Sequence, residues 1–199
     1  MTSIDFLLGL VAFAFVSSIT PGPNNLMLLA SGANFGLRRS LPHMLGISFG
    51  HAFMVLLLGL GLGQVFVTWP VTHDILKVVS VVYMAWLAWK IANAAAPESG
   101  ARSGRPFTFL QAAAFQWVNP KAWVMGVTAV TAYAAPEAGL LGAVLVAVVF
   151  CATNFPSVSV WAWMGTQVAR WLSSPGRLRA FNWTCAALLM ISLWPVLTG

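Results

Sequence analysis

Charged residues are scarce in this sequence. Only 7% of its 199 residues are Asp, Glu, Lys or Arg, whereas 59% are hydrophobic. About a quarter of the residues of a soluble domain are usually charged, so ten basic and four acidic side chains are too few to cover a soluble surface of this size. The shortage excludes an ordinary soluble globule and predicts that most of the surface faces lipid.

Clusters of reactive side chains are missing as well. A membrane enzyme needs a nucleophile, a base or a metal cluster that converges on one site, and the His and Cys residues of this chain do not group. Cys151 and Cys185 lie far apart, unlike most metal ligands, and we interpret them as small buried hydrophobic residues. The basic residues are scattered rather than gathered on one face as in nucleic-acid-binding domains. We therefore expect no enzyme activity, no cofactor, no metal site and no nucleic-acid partner.

Long uncharged stretches alternate with short polar loops along the chain. An α-helix needs about 20 apolar residues to cross the hydrocarbon core of a membrane. The stretches predict an all-α integral membrane protein that forms one transmembrane domain over residues 1–199. Such a protein can also assemble as a homo-oligomer. The six predicted transmembrane helices are at residues 5–30, 41–66, 72–93, 108–131, 139–165 and 179–198.

A polar linker at residues 94–106 divides the chain into two halves, about 1–93 and 107–199, with three predicted helices each. Because three is an odd number, the two halves cross the membrane in opposite directions. Two inverted three-helix repeats are a common plan of secondary transporters. The sequence therefore predicts this arrangement, in which the first and fourth helices are broken.

Basic residues lie almost entirely on one side of the predicted helices. Positively charged loops stay in the cytoplasm, and only Lys77 lies on the opposite side. The asymmetry predicts a multi-pass protein of the bacterial inner membrane with both termini in the periplasm. The eight residues on the cytoplasmic side are Arg38, Arg39, Lys90, Arg102, Arg105, Arg170, Arg177 and Arg179.

The first predicted helix is interrupted by a run of helix-breaking residues. Proline removes a backbone donor and clashes with the preceding turn, and freed backbone groups at membrane depth need a protein or water partner. The run is either a structural kink or a discontinuous helix that lines a substrate site, and we favour the second interpretation. Its residues are Thr20, Pro21, Gly22, Pro23, Asn24 and Asn25.

A second interruption, Asn119-Pro120-Lys121, lies near the middle of the fourth predicted helix. Paired helix breaks in the two halves are the best sequence indication of a transporter's binding site. Lys121 lies roughly 20 Å along the helix from Thr108, too deep for easy snorkelling. Because no acidic residue lies in any predicted helix core, its partner is a set of backbone carbonyls, water or a substrate anion.

Two further polar residues are predicted to lie near mid-membrane. Asn154 precedes Phe155 and Pro156 in the fifth helix, where it either accompanies a kink or lines the site. His51 lies near the centre of the second helix, and an unperturbed His titrates near neutral pH. We note it as a candidate for proton coupling, although a His inside a helix bundle is more often a hydrogen-bonded structural residue.

These motifs resemble, in order and over nearly the whole chain, the LysE/RhtB family of amino-acid exporters. The stretches that carry the resemblance are Thr20 to Asn24, Gly46 to His51, Tyr83 to Lys90 and Asn119 to Lys121. Within the family, Thr20 to Asn25 and Gly126 to Thr131 are similar to the branch that exports cysteine and O-acetylserine. Many relatives have Asp where this chain has Asn24, so the resemblance disfavours a dibasic substrate.

The resemblance implies outward transport of a small neutral amino acid or derivative, of the cysteine, O-acetylserine, threonine or homoserine class, driven by the proton-motive force. The implied partners are that small molecule and the lipid bilayer. The residues expected to bind the substrate are Thr20 to Asn25, Asn119, Pro120, Lys121 and Asn154. The alternative is an ion or metal-ion transporter of the wider superfamily, although divalent cations prefer carboxylates, thiolates or imidazoles and the central charge here is positive.

Overall fold

The computed structural model describes residues 3–94, 105–134, 139–172, 174–194 and 197. Every regular element within these residues is helical, which confirms the predicted all-α class. A π-helical stretch, Leu58–Leu62, continues α3, and a 3-10 turn, Gln116–Val118, continues α6. The α-helices are α1 (Ser3–Ile19), α2 (Pro23–Phe35), α3 (Leu37–Leu57), α4 (Gln64–Thr68), α5 (Val71–Ala92), α6 (Phe109–Phe115), α7 (Pro120–Tyr133), α8 (Gly139–Trp171) and α9 (Pro175–Ile191).

Within the described residues, three helices are long and apolar enough to cross a membrane: Leu37–Leu62, Val71–Ala92 and Gly139–Trp171. The pair Ile4–Ile19 and Pro23–Phe35, bent by 55° at its break, meets the same criterion as one broken segment. Helix α9 has 17 residues, and the two helices that flank Asn119 have 7 and 14. The arrangement of six transmembrane helices therefore stays a prediction.

Several helices differ in extent from their predicted spans: α2 runs to Phe35 rather than residue 30, and α9 begins at Pro175 rather than residue 179. The predicted second helix reached residue 66, but Gly61 adopts a φ of 103°, which interrupts regular helix geometry and separates α4 from α3. The predicted fifth helix ended at residue 165, but α8 runs to Trp171 and passes through Pro156 without a break. Most of the predicted linker, residues 95–104, lies outside the described residues.

Helix α8 is the centre of the fold and packs against α1, α2 and α3, while α5 packs against α9 and α3 against α6. Glycines permit the closest approaches. A Cβ at Gly32 would lie 2.0 Å from the carbonyl oxygen of Ala162. A Cβ at Gly165 would lie 2.1 Å from the carbonyl oxygen of Leu29. Gly46 and Gly50 likewise face the backbone of α6, so small residues bring these helices together.

The surface carries many large apolar side chains, and polar side chains lie within the mainly apolar interior. Large hydrophobic side chains are exposed along α5, for example Val82 at 64% and Trp89 at 64%. By contrast, His51, Gln116 and Asn119 are at most 2% exposed. An apolar exterior around buried polar side chains is the distribution that a lipid solvent selects.

Candidate functional site

The break between α1 and α2 leaves backbone carbonyls without helical partners, and side chains take their place. Asn25 Nδ2 donates to the carbonyl oxygens of Ser18 and Thr20 at 2.9 and 2.7 Å. Trp161 Nε1, on α8, donates to the carbonyl oxygen of Ile19 at 2.9 Å. The break is thus held by hydrogen bonds from both sides, as buried backbone groups require.

Lys121 provides the third set of partners. Its Nζ lies 2.7 Å from the carbonyl oxygen of Thr20, 2.9 Å from Thr20 Oγ1 and 3.1 Å from the carbonyl oxygen of Pro21. An ammonium group has three donors, so these contacts occupy all of them. Lys121, the second residue of α7, therefore joins the second helix break to the first.

Gly22 makes room for this lysine. A Cβ at Gly22 would lie 2.6 Å from Cδ and 3.1 Å from Nζ of Lys121. The backbone of Gly22 is extended, with φ 178° and ψ 179°, which any residue can adopt. The requirement for glycine is therefore the close approach of the lysine side chain.

The second break is built in a related way. Asn119 has an extended backbone, with φ −92° and ψ 106°, and Pro120 is the first residue of α7. Ahead of it, Gln116 and Asn24 form a reciprocal amide pair: Asn24 Nδ2 donates to Gln116 Oε1 at 2.8 Å, and Gln116 Nε2 donates to Asn24 Oδ1 at 3.1 Å. A second direct link therefore connects the two broken regions.

The two breaks border a cavity that holds about 310 Å³ of empty space, its open mouth included. Helix α1 contributes serines from one side, and α8 closes the opposite side with Asn154. Helix α3 contributes His51. The lining residues are Ser17, Ser18, Gly22, Asn24, Asn25, His51, Asn119, Lys121, Ala122, Met125, Asn154 and Val158.

Four lining side chains carry a buried polar atom that has no hydrogen-bond partner in the described part of the chain. These atoms are Ser18 Oγ, His51 Nδ1, Asn119 Oδ1 and Asn154 Oδ1. His51 Nε2 lies 3.3 Å from the carbonyl oxygen of Ala122, and if it donates there, Nδ1 of the neutral ring is an acceptor. Buried polar atoms without partners are rare in proteins, so these four atoms make the cavity the candidate site of this chain.

The structure brings together most of the sequence-predicted residues. Thr20 and Pro21 contribute oxygens to Lys121, whereas Pro23 and Pro120 begin helices, and none of these four lines the cavity. Sequence reasoning missed Ser18 and Gln116. Both are polar residues within four positions of a helix break, a signal that would have found them.

No group of three or more His, Cys, Asp or Glu side chains gathers anywhere among the described residues. An apolar helical bundle in which two interrupted helices meet at a polar cavity is the architecture of a membrane transport protein. The chain belongs to the LysE type translocator family, whose model matches residues 15–193.

Curated relatives extend the comparison. The chain is 33% identical over 168 residues to proteins named cysteine/O-acetylserine efflux protein from Escherichia coli strain K12, Shigella flexneri serotype 5b and Shigella sonnei, covering 83% of this chain and 85% of each relative. No solved structure matches the chain. Family and composition together make it a multi-pass membrane protein of a family whose curated members export amino acids.

Proposed function

We propose that this protein exports a small neutral amino acid or a close derivative, of the cysteine, O-acetylserine, threonine or homoserine class, and that it is not an enzyme. The observation that carries the proposal is the cavity between the two helix breaks, where one ammonium group and several unpartnered acceptors face the same space. The efflux activity named for the relatives supports the substrate class.

A zwitterionic amino acid has an anionic and a cationic end, and the cavity lining offers a partner for each. The Lys121 ammonium attracts the α-carboxylate, which displaces the carbonyl oxygens of Thr20 and Pro21 from it. Asn119 Oδ1 and Asn154 Oδ1 accept hydrogen bonds from the α-ammonium group. A neutral side chain then leaves no charge uncompensated, whereas a lysine-like substrate brings a second cation to a cavity that has no carboxylate among its described lining residues.

Coupling and topology complete the proposal. His51 carries the coupled proton, because its Nδ1 lies in the cavity as a buried acceptor. Six transmembrane helices form two inverted repeats, α1/α2, α3 and α5 followed by α6/α7, α8 and α9. Three pairings support this arrangement, since α3 contacts α8, α5 contacts α9, and α1 on α8 corresponds to α6 on α3. The close packing of α2 on α8 has a much weaker counterpart between α7 and α3. Both termini face the periplasm.

Transport from loaded proteoliposomes tests the proposal. Purified protein reconstituted with cysteine, O-acetylserine, threonine, homoserine or leucine inside should release at least one of them faster than protein-free liposomes, and faster still under a pH gradient. Retention of all five amino acids with and without the gradient would refute the assignment.

A matched pair of variants ties this transport to the cavity. Asn154→Leu replaces an amide whose oxygen has no partner by a side chain of similar size, so we expect unchanged or higher thermal stability together with loss of release. Thr153→Val removes a hydroxyl one residue away that donates to the carbonyl of Val149 and does not line the cavity. It should retain release.

A further inference from the structure

A second cavity lies at the C-terminal end of α2, between α2, α3, α5 and the segment 105–107 that precedes α6. It holds about 530 Å³ of empty space, its open mouth included. Neither the family resemblance nor the proposed substrate site accounts for it.

The cavity is positively charged. Lys90 and Arg105 line it, and none of its described lining residues is acidic. Lys90 Nζ lies 4.7 Å from the centre of the Trp86 ring and 5.9 Å from that of Phe107. Its described contacts are with aromatic faces, so its three N–H donors remain available for an anionic oxygen.

A buried histidine adds a further donor. His43 lines the same cavity and is 2% exposed, yet neither of its ring nitrogens has a hydrogen-bond partner among the described residues. Its ring centre lies 5.2 Å from that of Phe107. A buried imidazole without partners is costly, and a ligand oxygen in this cavity would satisfy it.

Helix α2 connects this cavity to the substrate cavity. Asn25 borders the substrate cavity, whereas Ser31 and Asn34 border the second one, which is roughly 9 to 14 Å further along the helix. Met27 and Phe115, at 4% and 1% exposure, belong to one hydrophobic cluster beside α2. Met27 lies between Asn25 and Ser31 along α2, so this apolar cluster adjoins the stretch of helix that separates the two cavities.

We propose that the second cavity captures the substrate before transport, holding its α-carboxylate with Lys90, Arg105 and His43, and that Met27 and Phe115 form the gate it then passes. The proposal rests on the proposed export function. The cavity lies on the side of Arg38 and Arg39, which follow α2 directly. That side is cytoplasmic in the proposed orientation, and an exporter loads its substrate there.

Chemical footprinting of Lys90 tests occupancy without any transport. Purified protein in detergent is treated with an amine-acylating reagent in sodium propionate or in an equal concentration of sodium chloride, and labelling is read by mass spectrometry. Propionate carries a carboxylate but no amine that consumes the reagent. It should slow Lys90 labelling about threefold at about twice its Kd. Lys77 on the same helix is the internal control, and Arg105→Gln should weaken the protection.

Transport kinetics test the role in loading. The assay uses everted membrane vesicles, in which the cytoplasmic side faces the medium. There the double variant Lys90→Gln/Arg105→Gln should raise the KM for cysteine or O-acetylserine about tenfold and leave Vmax within about twofold. This is the pattern expected when initial binding is lost. Arg179→Gln removes an exposed positive charge outside the cavity and should change neither value.

The outcomes separate the two proposals. Protection of Lys90 by propionate without any transport by the wild type leaves the anion site standing and refutes the export function. Transport with an unchanged KM in the double variant overturns the capture role. Protection of Lys90 by phosphatidylglycerol but not by propionate would assign the same cations to a lipid headgroup and overturn the capture role. The absence of any protection would also overturn the capture role.

Discussion

Lys121 concentrates the chemistry of the site in a single residue. The sequence left two roles for it, a clamp on freed carbonyls or a partner for a substrate anion. Its contacts with Thr20 and Pro21 are those of a clamp, yet its side chain also lines the cavity. Under the proposed function the same three donors serve both roles, so the clamp and the bound substrate are alternatives for one ammonium group.

Replacing Lys121 should therefore affect stability and transport together. Lys121→Met removes three hydrogen bonds from a charged donor. Because Thr20 and Pro21 are exposed, water can replace the lysine as their partner, and we expect a loss of only about 1–2 kcal/mol in stability. We expect no export. Lys121→Arg keeps a charged donor with a broader, planar head. It should restore the stability and only part of the export. Thermal unfolding and vesicle transport on the same samples measure both.

Gly22→Ala examines the lysine position without removing the charge. The new methyl group meets Lys121 Cδ and causes no backbone strain, so we expect folded protein with reduced export. Gly176→Ala, where a Cβ meets nothing within 4 Å, is the control.

A stable and fully active Lys121→Met protein would contradict both roles of the lysine.

The sequence predicted the composition of the site better than its hydrogen bonds. Asn119, Lys121 and Asn154 were singled out because a polar residue inside an apolar stretch is conspicuous. The pairing of Asn24 with Gln116 joins residues 92 positions apart and depends on how two broken helices pack. Local pattern carries no information about that pairing, so the sequence singled out Asn24 without predicting its partner.

At the scale of elements, the positions of the two helix breaks were predictable because proline acts locally. Helices α2 and α7 begin at Pro23 and Pro120, where the missing N–H would be unsatisfied anyway. Pro156 does not break α8, which packs along much of its length against α1, α2 and α3. Tertiary packing can therefore hold a helix through a proline, and sequence alone does not tell the two cases apart.

The contact between α2 and α8 is the element pair that positions the cavity. Gly165→Val would place a side chain against the carbonyl of Leu29, a backbone atom that cannot move aside. We expect a loss of about 1–3 kcal/mol through overpacking, seen as a lower melting temperature in detergent. Gly176→Val, at a position open to solvent, is the matched control, and equal melting temperatures for the two variants would contradict the close packing.

At the scale of the whole molecule, polarity is distributed in two ways. Apolar side chains face outward while amides and imidazoles lie inside, which suits a lipid surround. Eight of the ten basic residues lie near the junctions that follow α2, α5 and α8 in the sequence. The first distribution suits a membrane, and the second predicts the direction of the protein in it, because positive loops remain in the cytoplasm.

This direction can be measured with single cysteines. Gln64 is exposed at the start of α4, on the predicted periplasmic side, and Gly176 is exposed at the start of α9, beside Arg177. In spheroplasts, a membrane-impermeant maleimide should label Gln64→Cys and should label Gly176→Cys only after permeabilisation, with the unsubstituted chain reporting the background from Cys151 and Cys185. The second cavity lies on the side of Arg38 and Arg39, which is cytoplasmic in the proposed orientation. The reverse labelling pattern would invert the orientation and place this cavity on the periplasmic side. An exporter releases its substrate on that side rather than collecting it, so the reverse pattern would contradict the proposed capture.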